Sequence, residues 1–180
     1  MRNTVTAVAL IASAPALAQE PDFSAFATGP IFEEFGPHAP VAGANALDPN
    51  AEFRIAFDVA DRADVGTRNR TFESAARFTN MHAAAGVPAQ NMKLVVVVHG
   101  KAVLDLVTDE ALDARDMEAN ASAGMVRAML DHGIRFVVCG QSASVYGVQA
   151  EHLIEGVELE LSAMTAHALL QQRGYTVNPF

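Results

Sequence analysis

Cys139 is the one cysteine of the chain, and it closes the apolar run Ile134-Arg135-Phe136-Val137-Val138 just before Gly140. A thiol at such a point faces a tight turn that a glycine can make without a Cβ clash. The residues after it, Gln141-Ser142-Ala143-Ser144, run into a short helical pattern, predicted over Ser142–Tyr146. Free N–H groups at a helix start favour thiolate over thiol, and thiolate is the species that attacks sulfur. The same residue reads equally as a small apolar filler of a buried strand, the commonest role of free cysteine. His99 ends a second apolar run, Leu94–Val98, and Asp58 stands near the end of a third, Phe53–Val59. His99 can serve as an acid/base beside the thiol or can simply satisfy backbone groups at a strand end. Asp58 can line a ligand site or cap a turn. Gly100, Gly140, Gln141 and Ser142 are candidate ligand-binding positions because they form the turns that follow these runs. Asn120 is another, with capping of the following helix as its structural alternative. His167 lies on an apolar helical face and reads as a packed core histidine.

Other chemistries lack their frames. No HExxH or HxxxH spacing exists, so no metal site is expected. No GxGxxG follows a strand, HGK lacks the rest of a P-loop, and Ser142 and Ser144 lack GxSxG. No cofactor is therefore expected.

These side chains need a scaffold that brings strand ends together. Phe53–Val59 alternates at period two, and Leu94–Val98 is continuous and, after Leu94, β-branched, the pattern of a strand covered on both faces. Ile134–Cys139 is a third strand, Val157–Leu161 a fourth and Tyr175–Val177 a short edge strand. Helices are predicted over Thr71–Ala85, with Thr71 as N-cap, over Ala121–His132 and over Ser162–Arg173, with Ser162 as N-cap. Strands alternating with helices give an α/β fold: a three-layer α/β/α domain with a mainly parallel sheet of about five strands. In such sheets ligands bind beyond the carboxyl ends of the strands, where Asp58, His99 and Cys139 stand.

Ahead of this domain (51–180) lies a proline-rich arm, 19–50, with five of the eight prolines and four phenylalanines. Its rings predict packing on the body or on a neighbouring subunit. Residues 1–18 have the pattern of a cleaved signal peptide: Arg2, an apolar Val5–Ser13 and Ala16-Leu17-Ala18. That pattern predicts cleavage after Ala18, export to a bacterial periplasm and no stable membrane insertion. With 12 basic against 21 acidic residues, nucleic acid is disfavoured as a partner. One cysteine forms no disulfide framework within a chain.

The segments LVVVVHG (94–100), GIRFVVCGQSA (133–143), GVELELSAMTAHALLQQRGY (156–175) and the terminal NPF resemble the DsrE family, more narrowly its exported single-cysteine members. The arm motif TGPIFEEFG (28–36) adds to the likeness. The resemblance implies an α/β/α fold, assembly as trimers or hexamers, and sulfur handling. Its best-known members carry sulfane sulfur as a persulfide and pass it to an acceptor protein. Cys139 is the residue that matches such a cysteine, with His99 biasing its protonation or steering an anion. The alternatives are a non-catalytic oligomeric module that binds a small ligand, and a redox partner that forms mixed disulfides through Cys139.

Overall fold

The structure, a computed structural model, describes residues 21–178; the signal-peptide reading of 1–18 and the terminal NPF lie wholly or partly outside them. Five strands form one sheet in the order β4-β3-β2-β1-β5. They are β1 (Phe53–Val59), β2 (Met92–Val98), β3 (Arg135–Cys139), β4 (Glu158–Glu160) and β5 (Thr176–Asn178), and every pairing is parallel. The helices are α1 (Arg70–Ala84), α2 (Asp109–Asp113), α3 (Ala123–Asp131), α4 (Gly140–Val145) and α5 (Ala163–Gln172). A 3-10 segment, Gly100–Leu106, follows β2 and is one element that the periodicity does not announce.

The chain steps from β1 to β4 in one direction across the sheet, then returns to place β5 beside β1. That reversal sends α5 over the face opposite α1 and α3. Side chains alternate along a strand, so the two faces separate cleanly. Phe57, Val59, Leu94, Val96, Val98, Phe136 and Val138 join α1 and α3 in the larger core. Ala56, Val95, Val97 and Val137 meet Ala166 and Leu170 of α5 in the smaller one. Each fully buried Phe or Leu here is worth roughly 1.5–3 kcal/mol of transfer from water. β2, central in the sheet, needs apolar side chains on both faces, which is why its sequence does not alternate.

Boundaries move where a polar side chain outcompetes a neighbour. Thr71 was the expected cap of the first helix, but Asn69 caps it: its Oδ1 accepts the N–H groups of Thr71 (3.0 Å) and Phe72 (3.2 Å). Asn69 can do so because its own amide is fixed by Asp105 (2.8 Å) and the Asp61 carbonyl (3.0 Å). α3 starts at Ala123 rather than Ala121, because the Asn120 side chain turns back to accept the Ser122 N–H (2.9 Å). α4 starts at Gly140, two residues earlier than expected, so Cys139 itself stands at its N-cap position.

The arm packs on its own body. Phe32 and Phe35 are buried and stack at 4.9 Å, and the His132 ring meets Phe32 edge-on at 4.9 Å. Phe23 and Phe26 are exposed. The arm is held by Asn80, fully buried on α1. Its Oδ1 accepts the N–H groups of Ile31 and Phe32, and its Nδ2 donates to the carbonyls of Phe32, Phe35 and Gly36. Glu73 also accepts the Gly36 N–H at 3.0 Å.

Candidate functional site

Alternation puts Asp58 on the same face as Ala56, His99 with Val97, and Cys139 with Val137. All three side chains therefore continue the face covered by α5, at the carboxyl ends of three adjacent strands. Val98 pairs with Val138 as the last rung of that ladder, and His99 and Cys139 are the next residues on the two adjacent strands, which run about 4.8 Å apart.

Cys139 is only 6% exposed. Burial alone would push its thiol up. Against that, the thiolate is stabilised by hydrogen bonding from the Ser142 hydroxyl and from the N–H groups of Ser142, Ala163 and Gln141. The net result holds the thiol below its ordinary value. These donors come from two places, the first turn of α4 and the start of α5. Ser142 is oriented for the task. The Gly100 N–H donates to its Oγ at 3.0 Å, which leaves the single hydroxyl proton to point elsewhere.

Two glycines make these approaches possible. A Cβ on Gly140 would sit 2.8 Å from the Glu160 carbonyl oxygen and 3.2 Å from that of Leu161. A Cβ on Gly100, whose φ is +55°, would sit 2.8 Å from the Ala60 carbonyl oxygen. Both are backbone contacts with no flexible end to yield. Gln141 links the same segments from outside, its side-chain Nε2 donating to the Leu161 carbonyl at 3.3 Å.

Asp58 and His99 meet directly. His99 Nε2 lies 3.3 Å from one Asp58 carboxylate oxygen, and His167 Nε2 lies 2.7 Å from the other. Burial raises the Asp58 carboxyl, but the hydrogen bonds from His167 and His99 and their charges outweigh it, so the group ends below its usual value. His167 is thus no core filler. It reaches across from α5 to the end of β1, a contact over 109 positions of sequence.

Asn120 stands apart from this cluster. Its Nδ2 donates to the carbonyls of Asp105 (2.8 Å) and Val107 (2.9 Å), fixing the segment after β2. Asp58, His99, Gly100, Cys139, Gly140, Gln141 and Ser142 lie together at the strand ends, and His167 joins them.

The DsrE/DsrF-like family model matches residues 64–179, more than half of the chain. The chain belongs to the DsrE/DsrF-like family. Among solved structures, the DsrE-like fold is shared with a protein of unknown function, MTH1491, from Methanobacterium thermoautotrophicum. The TM-score is 0.54 at 20% identity, over 72% of this chain and all of that one (100%). The ychN protein from E. coli matches with a TM-score of 0.46 at 18% identity, over 71% of this chain and 99% of that one. No curated protein matches the chain. The DsrE family match takes in His99, Cys139 and His167, while Asp58 and all of β1 precede it.

Ser142→Ala removes the hydroxyl that contributes most to favouring the Cys139 thiolate. The Cys139 thiol is expected to titrate at higher pH in the variant. Its alkylation by iodoacetamide near pH 7 should slow severalfold, with the fold unchanged by circular dichroism. An unchanged rate would assign the low thiol to the backbone donors alone.

Proposed function

We propose that this protein accepts sulfane sulfur as a persulfide on Cys139 and hands it to an acceptor. What supports the reading is the place of Cys139, at the carboxyl end of β3 and the N-cap position of α4, where the neighbouring Ser142 hydroxyl and the N–H groups of Ser142, Ala163 and Gln141 favour its anion. A thiolate there attacks the terminal sulfur of a donor persulfide, R–S–SH. A new S–S bond forms at Cys139 as the donor's S–S bond breaks, and the electron pair leaves on R–S⁻. The Cys139 sulfur is oxidised by the step and the donor's thiol sulfur is reduced. The proton that the thiol gave up ends on the leaving thiolate, and His99 beside the thiol is the group to move it. The N–H groups of Gln141 and Ser142 then hold the charge of the bound persulfide, as they hold that of the thiolate.

Handing sulfur on requires a second protein with a thiol, or another copy of this chain. Exposed apolar side chains near the thiol, Val145, Leu161 and Met164, suit such a contact and suit a homo-oligomer, trimer or hexamer. No helix of the described residues is long and apolar enough to cross a membrane. Residues 1–18 supply the pattern for export to a periplasm.

Reduced protein incubated with glutathione persulfide is expected to gain the mass of one sulfur atom. The gain should be absent in Cys139→Ser and reversed by dithiothreitol. Wild-type protein that gains no mass contradicts the reading. The burial of Cys139 favours a second one, a non-catalytic oligomeric module that binds a small ligand at this end of the sheet. That reading predicts a thiol that alkylates only after unfolding.

A further inference from the structure

Asp58 is shared by two imidazoles that differ in their surroundings. His167 is the more enclosed, its side chain 17% exposed, and its Nδ1 is buried with no hydrogen-bond partner among the described residues. His99 is about one-third exposed, at 32%. Both rings turn Nε2 toward the carboxylate. An ionised carboxylate only accepts hydrogen bonds, so each Nε2 carries a proton. The exchanging nitrogen of each neutral ring is then Nδ1. In His167 that atom has no group to trade a proton with. In His99 it belongs to the more open ring, one residue past the last rung that β2 shares with β3, as Cys139 is on β3. The three groups do not form a metal site: among the described residues no such cluster is placed to hold an ion.

We propose that Asp58 and His167 are positioning residues: His167 anchors the Asp58 carboxylate from α5, and Asp58 holds His99 with Nε2–H inward. His99 Nδ1 then takes the Cys139 proton and returns it to the departing thiolate. This rests on the persulfide reading above and adds to it the route of the proton. The bond changes are those already given. Nδ1 of His99 gains the proton as the thiol ionises and loses it to R–S⁻ as the donor's S–S bond breaks.

The strand order supports the assignment. The chain reverses direction after β4, so β3 runs on into α4 on one face and β4 into α5 on the other, and such switch points, here beside Cys139, are where open α/β sheets bind ligands. Asp58 ends β1 two strands from β3, and α5, the helix of the return crossover, carries His167 back across the sheet to it. The titratable groups at this end include Asp58 from β1, His99 and Lys101 after β2, Cys139 from β3, Glu160 from β4 and His167 from α5.

The test separates proton handling from structure by leaving group. Sulfur transfer from glutathione persulfide releases a thiolate that needs a proton; alkylation by iodoacetamide releases iodide, which needs none. In Asp58→Asn and His167→Leu, transfer at pH 7 is expected to slow by about tenfold or more, within the usual range of acid–base catalysis. Alkylation at high pH, where the thiol is fully ionised, should match wild type. His167→Gln, which keeps a donor near the place of Nε2, should restore transfer to within about threefold of wild type. Nitrogen-15 spectra of wild type should show His99 protonated at Nε2 when neutral. Variants that transfer sulfur with the wild-type rate and pH profile, or a His99 protonated at Nδ1, overturn the proposal while leaving the carrier reading intact. A wild type that accepts no sulfur removes the carrier reading and the proton route together.

Discussion

Asn80→Ala is expected to cost about 3–5 kcal/mol of stability, or to release the arm outright. The side chain is completely buried and satisfies five backbone groups of residues 31–36, at 2.8–3.1 Å. Alanine leaves those groups facing an apolar wall. Each buried donor or acceptor stranded in this way costs roughly 1–3 kcal/mol. Water can reach them only if the arm lifts away. That movement uncovers Phe32 and Phe35, at roughly 1.5–3 kcal/mol each, and breaks the Gly36 N–H bond to Glu73. The loss is therefore capped by the docking free energy of the arm. Urea unfolding followed by limited proteolysis checks both routes. A lower midpoint, or rapid cleavage in the segment 28–45, is the expected result. A change under about 1 kcal/mol with no new cleavage would show that the aromatic rings hold the arm without Asn80.

Gly140→Ala is expected to damage stability and site together. Its Cβ would meet the carbonyl oxygens of Glu160 and Leu161 at 2.8 and 3.2 Å, so the segment between β4 and α5 must move out. Overpacking of this kind costs roughly 1–3 kcal/mol. The same movement takes the Ala163 N–H away from Cys139, and the thiol should titrate at higher pH. Gly124→Ala is the control. It lies inside α3, where a Cβ meets nothing within 4 Å, and alanine there should stabilise by up to about 1 kcal/mol. Denaturant midpoints of the two variants should therefore move in opposite directions. A Gly140→Ala protein with wild-type stability and thiol titration would mean that the loop yields freely and sets neither property.

Much of this site could be read from residue order, because its parts end apolar runs. Leu94–Val98, β-branched in all but its first residue, had to be a doubly covered strand, and the glycines after His99 and Cys139 marked where two strands stop, though they open the 3-10 segment and α4 rather than free turns. What could not be read was adjacency. His167 joins Asp58 only because β5 returns beside β1 and carries α5 across the second face. Nothing local to His167 signals this, and its apolar neighbours favour a core role. Asn80 was hidden in the same way: it occupies a helical position whose partners lie 44–49 residues earlier. Asn69 took the cap from Thr71 through support by Asp105, 36 positions away. Short-range capping rules pointed to Thr71 and carry no information on so distant a support. Asn120 shows the converse. Its capping alternative was legible, yet its amide is used on the backbone after β2, away from the thiol.

The proposed sulfur chemistry depends on Cys139 being an anion-prone thiol in the folded protein. Its titration in the native state tests this most directly, followed by ultraviolet thiolate absorbance or by iodoacetamide rate against pH. The expected midpoint lies below the ~8.5 of a free cysteine, and unfolding in urea should return it to that value. Stability should follow suit. The thiolate's contribution is fully present above the unfolded midpoint and is lost as pH falls through the folded one. A native thiol that titrates at or above the free value, or that reacts only once the chain is unfolded, would mean that Cys139 is no sulfur carrier.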